Sequence, residues 1–256
     1  MGRMSETPAE LLRTEVRRDG ARPFLTFYDD ATGERVELSA ITFDNWVAKT
    51  AGFLTAGLDA EAGDRVALRL PAHWQALAWA AACWSVGACV VLPGDDGDDG
   101  GSEGPDGVRV AVAGPDAVEA AAGSAPEVVG LALRPLGGRF TTPLPPGVTD
   151  YAVEVPGYPD RFVPLTPPDD AEPALEQAGT VHTLGGLVDR ARQRAEQLGA
   201  GPGARLLVAT DDLGTALIDA LLVPLVVGGS AVLVRHEDPA GRARRVDAER
   251  VTAAVA

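Results

Sequence analysis

Apolar and polar positions along this chain alternate between helical and extended periods. Thr7-Pro8-Ala9-Glu10 has the form of a capping box with proline at the first helical position. Leu11, Leu12 and Val16 then share one face until Gly20 stops the helix. Phe24–Tyr28 and Arg35–Leu38 read as the two strands of a hairpin. Thr42 is placed to cap a second helix that turns Trp46, Phe53 and Leu54 inward. Beyond Ala62-Gly63-Asp64 a strand runs from Arg65 to Leu70, followed by a helix from Ala72 to Val86 that is apolar nearly all round. A strand from Ala88 to Leu92 comes next. Strand, helix and strand at this spacing make a βαβ crossover, the mark of a parallel sheet. Further strands are expected at Val108–Val112 and Val128–Leu133, with a short helix from Pro115 to Ala122 between them.

The pattern then breaks. Ten of the chain's 20 prolines fall between Pro135 and Pro173. Each removes a backbone donor and fixes φ, so no long helix and no central strand is expected there. The stretch is read as an irregular drape over a sheet, anchored by Tyr151, Phe162 and Val163. Alternation resumes with a helix from Leu184 to Leu198, capped by Thr183 and stopped by Gly199. A strand follows at Arg205–Ala209, and then a helix at Leu213–Val227 bent near Pro224. A strand at Ser230–Val234, a short helix near Ala240 and a last strand at Arg250–Val255 complete the order. The expected fold class is α/β, with mostly parallel sheets and flanking helices. It is read as one domain over residues 1–256, with lobes of about 1–135 and 179–256 joined by the irregular segment 136–178.

Composition adds exclusions. Aromatic residues are 5% of the chain, so its core is expected to consist largely of Ala, Val and Leu. A formal net charge of −15 argues against nucleic acid as a partner, and Arg242, Arg244 and Arg245 read as a solvated helix face. Ala76–Leu92 is almost uncharged, but Gly87 followed by Val90-Val91 reads as a buried helix and a buried strand, not a membrane span. Met1–Glu10 lacks the apolar core of a signal peptide. Cys83 and Cys89, the two cysteines, lie in apolar surroundings and read as reduced core residues, so a cytoplasmic protein is expected.

Candidate chemistry is sparse. Asp95, Asp96, Asp98 and Asp99 lie in an Asp/Gly-rich loop that fails the EF-hand pattern, because Gly97 and Gly100 fall at ligand positions and no glutamate closes the loop. His73, His182 and His236 have neither metal-ligand nor triad spacing and read as surface or capping residues. Asp211 and Asp212 read as helix-start carboxylates. There is no G-x-S-x-G elbow and no G-x-G-x-x-G after a strand. The sole lysine, Lys49, lies within a helix and not in a Walker loop. No catalytic residue, metal ligand or cofactor is therefore predicted, and any cofactor-binding residues are unknown.

The order of motifs nevertheless resembles the front part of the acyl-adenylate-forming enzymes, which include acyl-CoA synthetases, adenylation domains and luciferases. Arg22-Pro23-Phe24-Leu25, Thr42-Phe43 and Gly63-Asp64-Arg65-Val66-Ala67 match the family's opening, and Gly87-Ala88-Cys89-Val90-Val91-Leu92-Pro93 matches its G-A-x-x-V-P-L strand. Gly179-Thr180-Val181-His182-Thr183 resembles the segment after the family's phosphate loop. Pro224 to Leu233 resembles P-L-x-x-G-A-x-V-V-L, and Arg250-Val251-Thr252 resembles an R-V-T strand. With the Pro-rich segment between, the whole is similar to a short actinobacterial group related to the front of these enzymes.

The departures set the functional expectation. The family loop T-S-G-T-T-G-x-P-K-G aligns with Asp170–Gly179, where Ala178 replaces the lysine and Asp170, Glu172 and Glu176 add three carboxylates. The family's P-x-x-H region falls at Asp211 and Asp212, without a histidine, and the adenine-binding segment and lid have no counterpart. The resemblance thus implies a pseudoenzyme that acts as a binding or interaction module, with an unknown protein partner or a second copy of itself. The alternatives are half of a split ligase, or a non-catalytic acyl or nucleotide sensor.

Overall fold

A computed structural model describes residues 6–93 and 107–255. In chain order these form α1 (Pro8–Asp19), β1 (Pro23–Asp29), β2 (Glu34–Ser39), α2 (Ala40–Gly57), β3 (Arg65–Arg69), α3 (Trp74–Val86), β4 (Cys89–Val91) and β5 (Val108–Ala113). Next come α4 (Val118–Ala121), β6 (Glu127–Gly130), β7 (Val148–Asp150), α5 (Tyr151–Glu154), β8 (Pro173–Gln177) and β9 (Thr180–Thr183). The last elements are α6 (Leu184–Leu198), β10 (Arg205–Ala209), α7 (Leu213–Ala216), α8 (Val223–Val227), β11 (Ser230–Arg235), α9 (Pro239–Ala248) and β12 (Ala253–Val255).

Two sheets result, in the orders β12-β10-β11-β1-β2 and β7-β6-β5-β3-β4-β8-β9. All neighbours pair in parallel except the edge strands β2 and β9, each of which returns antiparallel as the second arm of a hairpin. The fold is α/β with mostly parallel sheets and flanking helices. Each sheet draws strands from both halves of the chain. In the five-stranded sheet, β1 pairs with β11 in the register Leu25↔Ala231 to Asp29↔Arg235.

Local chemistry accounts for the elements. The capping box of α1 is complete, with the Thr7 hydroxyl accepting from Glu10 N and the Glu10 carboxylate accepting from Thr7 N at 2.9 Å. The cap of α2 is Ser39, not Thr42. The strand β2 runs straight into the helix, so its last residue accepts from Thr42 N at 3.2 Å. Every residue of α3 except Ser85 is buried, which fits its uniformly apolar sequence. Trp74, Trp79 and Trp84 are among the largest fully buried side chains, together with Tyr151, Phe24, Phe27 and Phe43, in a core whose remaining positions are mostly Ala, Val and Leu. Trp84 Nε1 donates to Ala174 O at 2.8 Å and ties α3 to β8. Among the described residues, no helix is long and apolar enough to cross a membrane.

Several boundaries move. α4 is only Val118–Ala121, β6 ends at Gly130, and β12 begins at Ala253. The Pro-rich stretch holds β7, α5 and, at its end, a strand well inside a sheet, since β8 lies between β4 and β9. Pro173 is tolerated there because it is the strand's first residue, where the missing N–H costs least. Tyr151 is buried and Phe162 packs on the core as expected. Val163, by contrast, is exposed, and Tyr158 is the further anchor. The helix expected to bend near Pro224 instead contains a π-helical turn at Leu217–Leu222, joining α7 to α8. A widened turn before a residue without an N–H reroutes the hydrogen bonds that proline cannot make.

Candidate functional site

The hairpin β8–β9 stands where the resemblance puts a phosphate loop. Gln177 pairs with Thr180, so only Ala178 and Gly179 close it. Their φ values of 48° and 73° are both positive, as a type I′ turn requires. The ten residues expected to replace the phosphate loop therefore do not form one loop. Asp170 and Glu172 lie in the turn before β8, where Asp170 O accepts from Gly185 N at 2.8 Å and Glu172 O accepts from Leu184 N at 3.0 Å. Glu176 is on the strand itself, and both its carboxylate oxygens take bonds of 2.8 Å from Arg65 Nη2. The three carboxylates are thus separated: that of Glu176 pairs with Arg65, and Glu172 Oε1 accepts from Asp169 N at 3.2 Å, while the bonds at Asp170 are made by its backbone. Alanine in the left-handed region is strained. Ala178→Asn should accordingly raise stability by about 0.5–1 kcal/mol, read as a higher urea midpoint at unchanged slope.

Beside this turn is a cleft of about 460 Å³ between the tip of β8, the outer face of α6 and the start of α7. Gln177, Gln193 and Gln197 supply amides, Arg190 and Arg194 guanidinium groups, and Thr215 a hydroxyl. Gly214 opens the approach, since a Cβ there would overlap the Gln177 amide. At one wall Arg194 Nε and Nη2 donate to Asp219 Oδ1 and Oδ2 at 2.8 and 2.9 Å. Asp219 belongs to the π turn and its side chain is 3% exposed. Asp212 caps α7 by accepting from Thr215 N at 2.6 Å, as a helix-start acid should. His182, on β9, has its Nε2 3.2 Å from Arg190 Nη1, and burial together with that guanidinium holds its pKa below the ordinary value. Arginine has no acceptor, so His182 accepts with Nε2. The lining contains hydrogen-bonding groups and one ion pair but no cysteine, serine or lysine.

A second polar group gathers at the carboxyl ends of β1, β10 and β11, where open α/β sheets present ligand sites. His236 Nδ1 lies 3.0 Å from Asp29 Oδ1, and Asp211 Oδ1 accepts from His236 N at 3.1 Å. Arg235 Nη1 is 3.7 Å from Asp29 Oδ2. Burial alone would push the Asp29 carboxyl up, but bonds from His236, Ala31 and Thr32 outweigh it and hold it below the ordinary value. Of the two roles expected for the histidines, His73 takes the capping one: it is the N-cap of α3, 1% exposed and facing Glu34. Two of the three dispersed histidines are thus brought to one seam, which no sequence spacing reveals. Among the described residues, no group of three or more His, Cys, Asp or Glu side chains is arranged to hold a metal.

The remaining candidates fall elsewhere. Lys49 donates to Tyr158 O at 2.6 Å and pairs with Asp160. Cys83 and Cys89 are buried free thiols. Of the arginines expected on a solvated face, Arg245 instead pairs with Asp30 and covers the Tyr28 ring at 4.7 Å, and Arg242 pairs with Glu237. These contacts pin α9 to the outer face of the five-stranded sheet, over Leu207, Val232 and Val234. The acidic loop of Asp95, Asp96, Asp98 and Asp99 lies outside the described residues.

Comparison places this geometry. A protein from Mycobacterium tuberculosis described as a TIGR03089 family protein is 39% identical over 250 residues, covering 94% of this chain and 95% of its own length. No family model matches the chain. Among solved structures, a Mycobacterium tuberculosis fatty acyl CoA synthetase superposes with a TM-score of 0.71 at 18% identity, over 96% of this chain and 48% of its own. A Brucella canis acyl-CoA synthetase gives 0.76 at 19%, over 97% and 47%. The chain thus has an acyl-CoA synthetase-like fold and spans about half the length of those synthetases.

Proposed function

The chain belongs to the TIGR03089 family, and we propose that it is a catalytically inactive, acyl-CoA synthetase-like binding or interaction module of the cytoplasm. The observation that carries this reading is the closure of β8–β9 by Ala178 and Gly179 alone. Adenylate formation develops charge on a polyphosphate, which must be met by preorganised donors and cations. A two-residue turn offers little backbone to wrap a phosphate chain, and the only lysine is engaged with Tyr158 and Asp160. The polar cleft between β8, α6 and α7 supports retained binding of a ligand or partner group without turnover. Large exposed apolar side chains among the described residues are Ile41, Val153, Val163, Leu165 and Val181. The buried free thiols favour a reducing compartment.

The test is pyrophosphate exchange into ATP over a panel of carboxylic acids with purified protein. No exchange above background is expected, and exchange that copurifies with the protein would overturn the inactive reading. Thermal unfolding with Mg-ATP separates the alternatives. Saturation at about 100 times the dissociation constant adds about 2.7 kcal/mol and raises the midpoint by several degrees. Such a shift would favour a nucleotide sensor or a split ligase, and an unchanged midpoint favours a module for other partners.

A further inference from the structure

His73 stands between β3 and α3, at the line where the two sheets meet, and is 1% exposed. Its Nδ1 accepts from the backbone N–H of Gln75 at 3.2 Å and so caps α3. A ring nitrogen that accepts carries no hydrogen, which places the proton of the neutral ring on Nε2. Nε2 is 3.8 Å from Glu34 Oε2, too far for a hydrogen bond, and both Nε2 and Glu34 Oε1 are buried without a partner. The other charged groups facing the ring are Asp29 at the end of β1 and Arg235 at the end of β11. Phe27 and Trp74 complete its surroundings, with ring centroids 4.6 and 5.7 Å away.

We propose that His73 is an acid-operated switch: its protonation uncaps α3 and loosens the seam between the two sheets at Glu34. The second proton has one place to go, Nδ1, which is the atom that caps the helix. An imidazolium has no acceptor, so Gln75 N–H would face another N–H and the cap would be lost. The new cation is drawn toward Glu34 and Asp29 and pushed by Arg235, and any movement toward Glu34 takes the ring away from the helix. Opening is not confined to one bond, because Ala72 N donates to Asp211 O at 3.0 Å and Trp74 packs against Trp46 at 5.3 Å. Burial lowers the pKa of His73 below its ordinary value of 6.5, with Glu34 pulling the other way. The sign follows. A histidine harder to protonate when folded contributes stability that is complete above the unfolded value and is lost as pH falls through the folded one.

The test is hydrogen exchange of the full chain, read as protection factors for the Gln75 and Leu77 amides. As pH falls from about 7.5 through the lowered pKa of His73, protection should fall about 5- to 10-fold, the equivalent of one lost cap. His73→Asn, which caps through an amide oxygen and cannot titrate, should hold its protection over the same range. Glu34→Gln removes the carboxylate that favours the cation and should move the fall to lower pH. An equal fall in His73→Asn would overturn the proposal. Imidazole ¹⁵N spectra of the unaltered protein decide between the outcomes even if a variant does not fold. Nδ1 should be unprotonated near neutral pH and gain its proton in step with the loss of protection. A proton already on Nδ1, or protection lost while Nδ1 stays bare, would refute the switch.

Discussion

Arg194→Ala should destabilise the protein by about 3–5 kcal/mol, and Asp219→Ala by clearly less. The two residues form one ion pair, but they are not equally placed. Asp219 lies within the π turn of the helix that follows β10 and its side chain is 3% exposed, whereas that of Arg194 is 34% exposed at the wall of the cleft. Removing Arg194 strands a carboxylate in the interior with neither counter-ion nor donor, and it must keep the full desolvation cost or take up a proton. When Asp219 is removed, the guanidinium can swing through the cleft into water with its aliphatic stem still lying on the protein. Urea unfolding of both variants reads the difference directly, and in thermal melts each kcal/mol should appear as about 2–4 °C. Equal losses, or a greater loss for Asp219→Ala, would mean that the pair is worth little and that the cleft wall is held by packing. A double replacement by Met and Leu should recover much of the stability, because a buried pair seldom outweighs an apolar pair of similar volume.

This asymmetry also marks the boundary of what residue patterns convey. Elements with strong local signals are legible from sequence: the capping box of α1, the all-round apolar α3 between two strands, and the αL stop of α6 at Gly199. Where two local rules compete, position is lost. Ser39 and Thr42 are both good caps three residues apart, and the choice between them depends on β2 running unbroken into α2. The strand β8 is hidden because it opens on proline and carries Glu176, a residue disfavoured in strands until Arg65 is beside it, 111 positions earlier. Its turn lacks the Asn-Gly signature and announces itself only through Gly179. The candidate sites were the least legible, for the same reason. Arg194 and Asp219 are 25 positions apart, and Asp29 and His236 are 207 apart. Such pairs have no period or motif, and only the pairing of β1 with β11 and the packing of α6 on the π turn bring them together. The resemblance to adenylate-forming enzymes puts a phosphate loop at residues 170–179, a stretch that forms a turn, the strand β8 and a two-residue turn.

The same resemblance supplies the second large effect, at a position where this chain departs from the pattern by one methyl group. The family run P-L-x-x-G-A-x-V-V-L has alanine where this chain has Gly229, and restoring it by Gly229→Ala should cost about 3 kcal/mol, the upper end of ordinary overpacking. A Cβ at this position would overlap the carbonyl oxygen of Ala204, with the carbonyl carbon and Val227 Cγ2 also closer than normal contact allows. Neither neighbour can yield cheaply. Ala204 O accepts from Ser230 N at 3.0 Å, and one residue later Arg205 and Ser230 open the pairing of β10 with β11. Gly229 itself is held from both sides: its N–H donates to Pro224 O at 2.8 Å, and its carbonyl accepts from Arg22 Nη2 at 3.0 Å. A shift large enough to admit the methyl must therefore stretch the first rungs of a central strand pair or release the end of α8. Gly201→Ala provides the control in the preceding loop, where a Cβ meets nothing within 4 Å. It should be neutral or stabilising by about 0.4–1 kcal/mol through the unfolded chain. If urea unfolding placed the two variants within about 0.5 kcal/mol of each other, the tight approach of Ala204 to Gly229 would be wrong, and the departure at this position would carry no structural meaning.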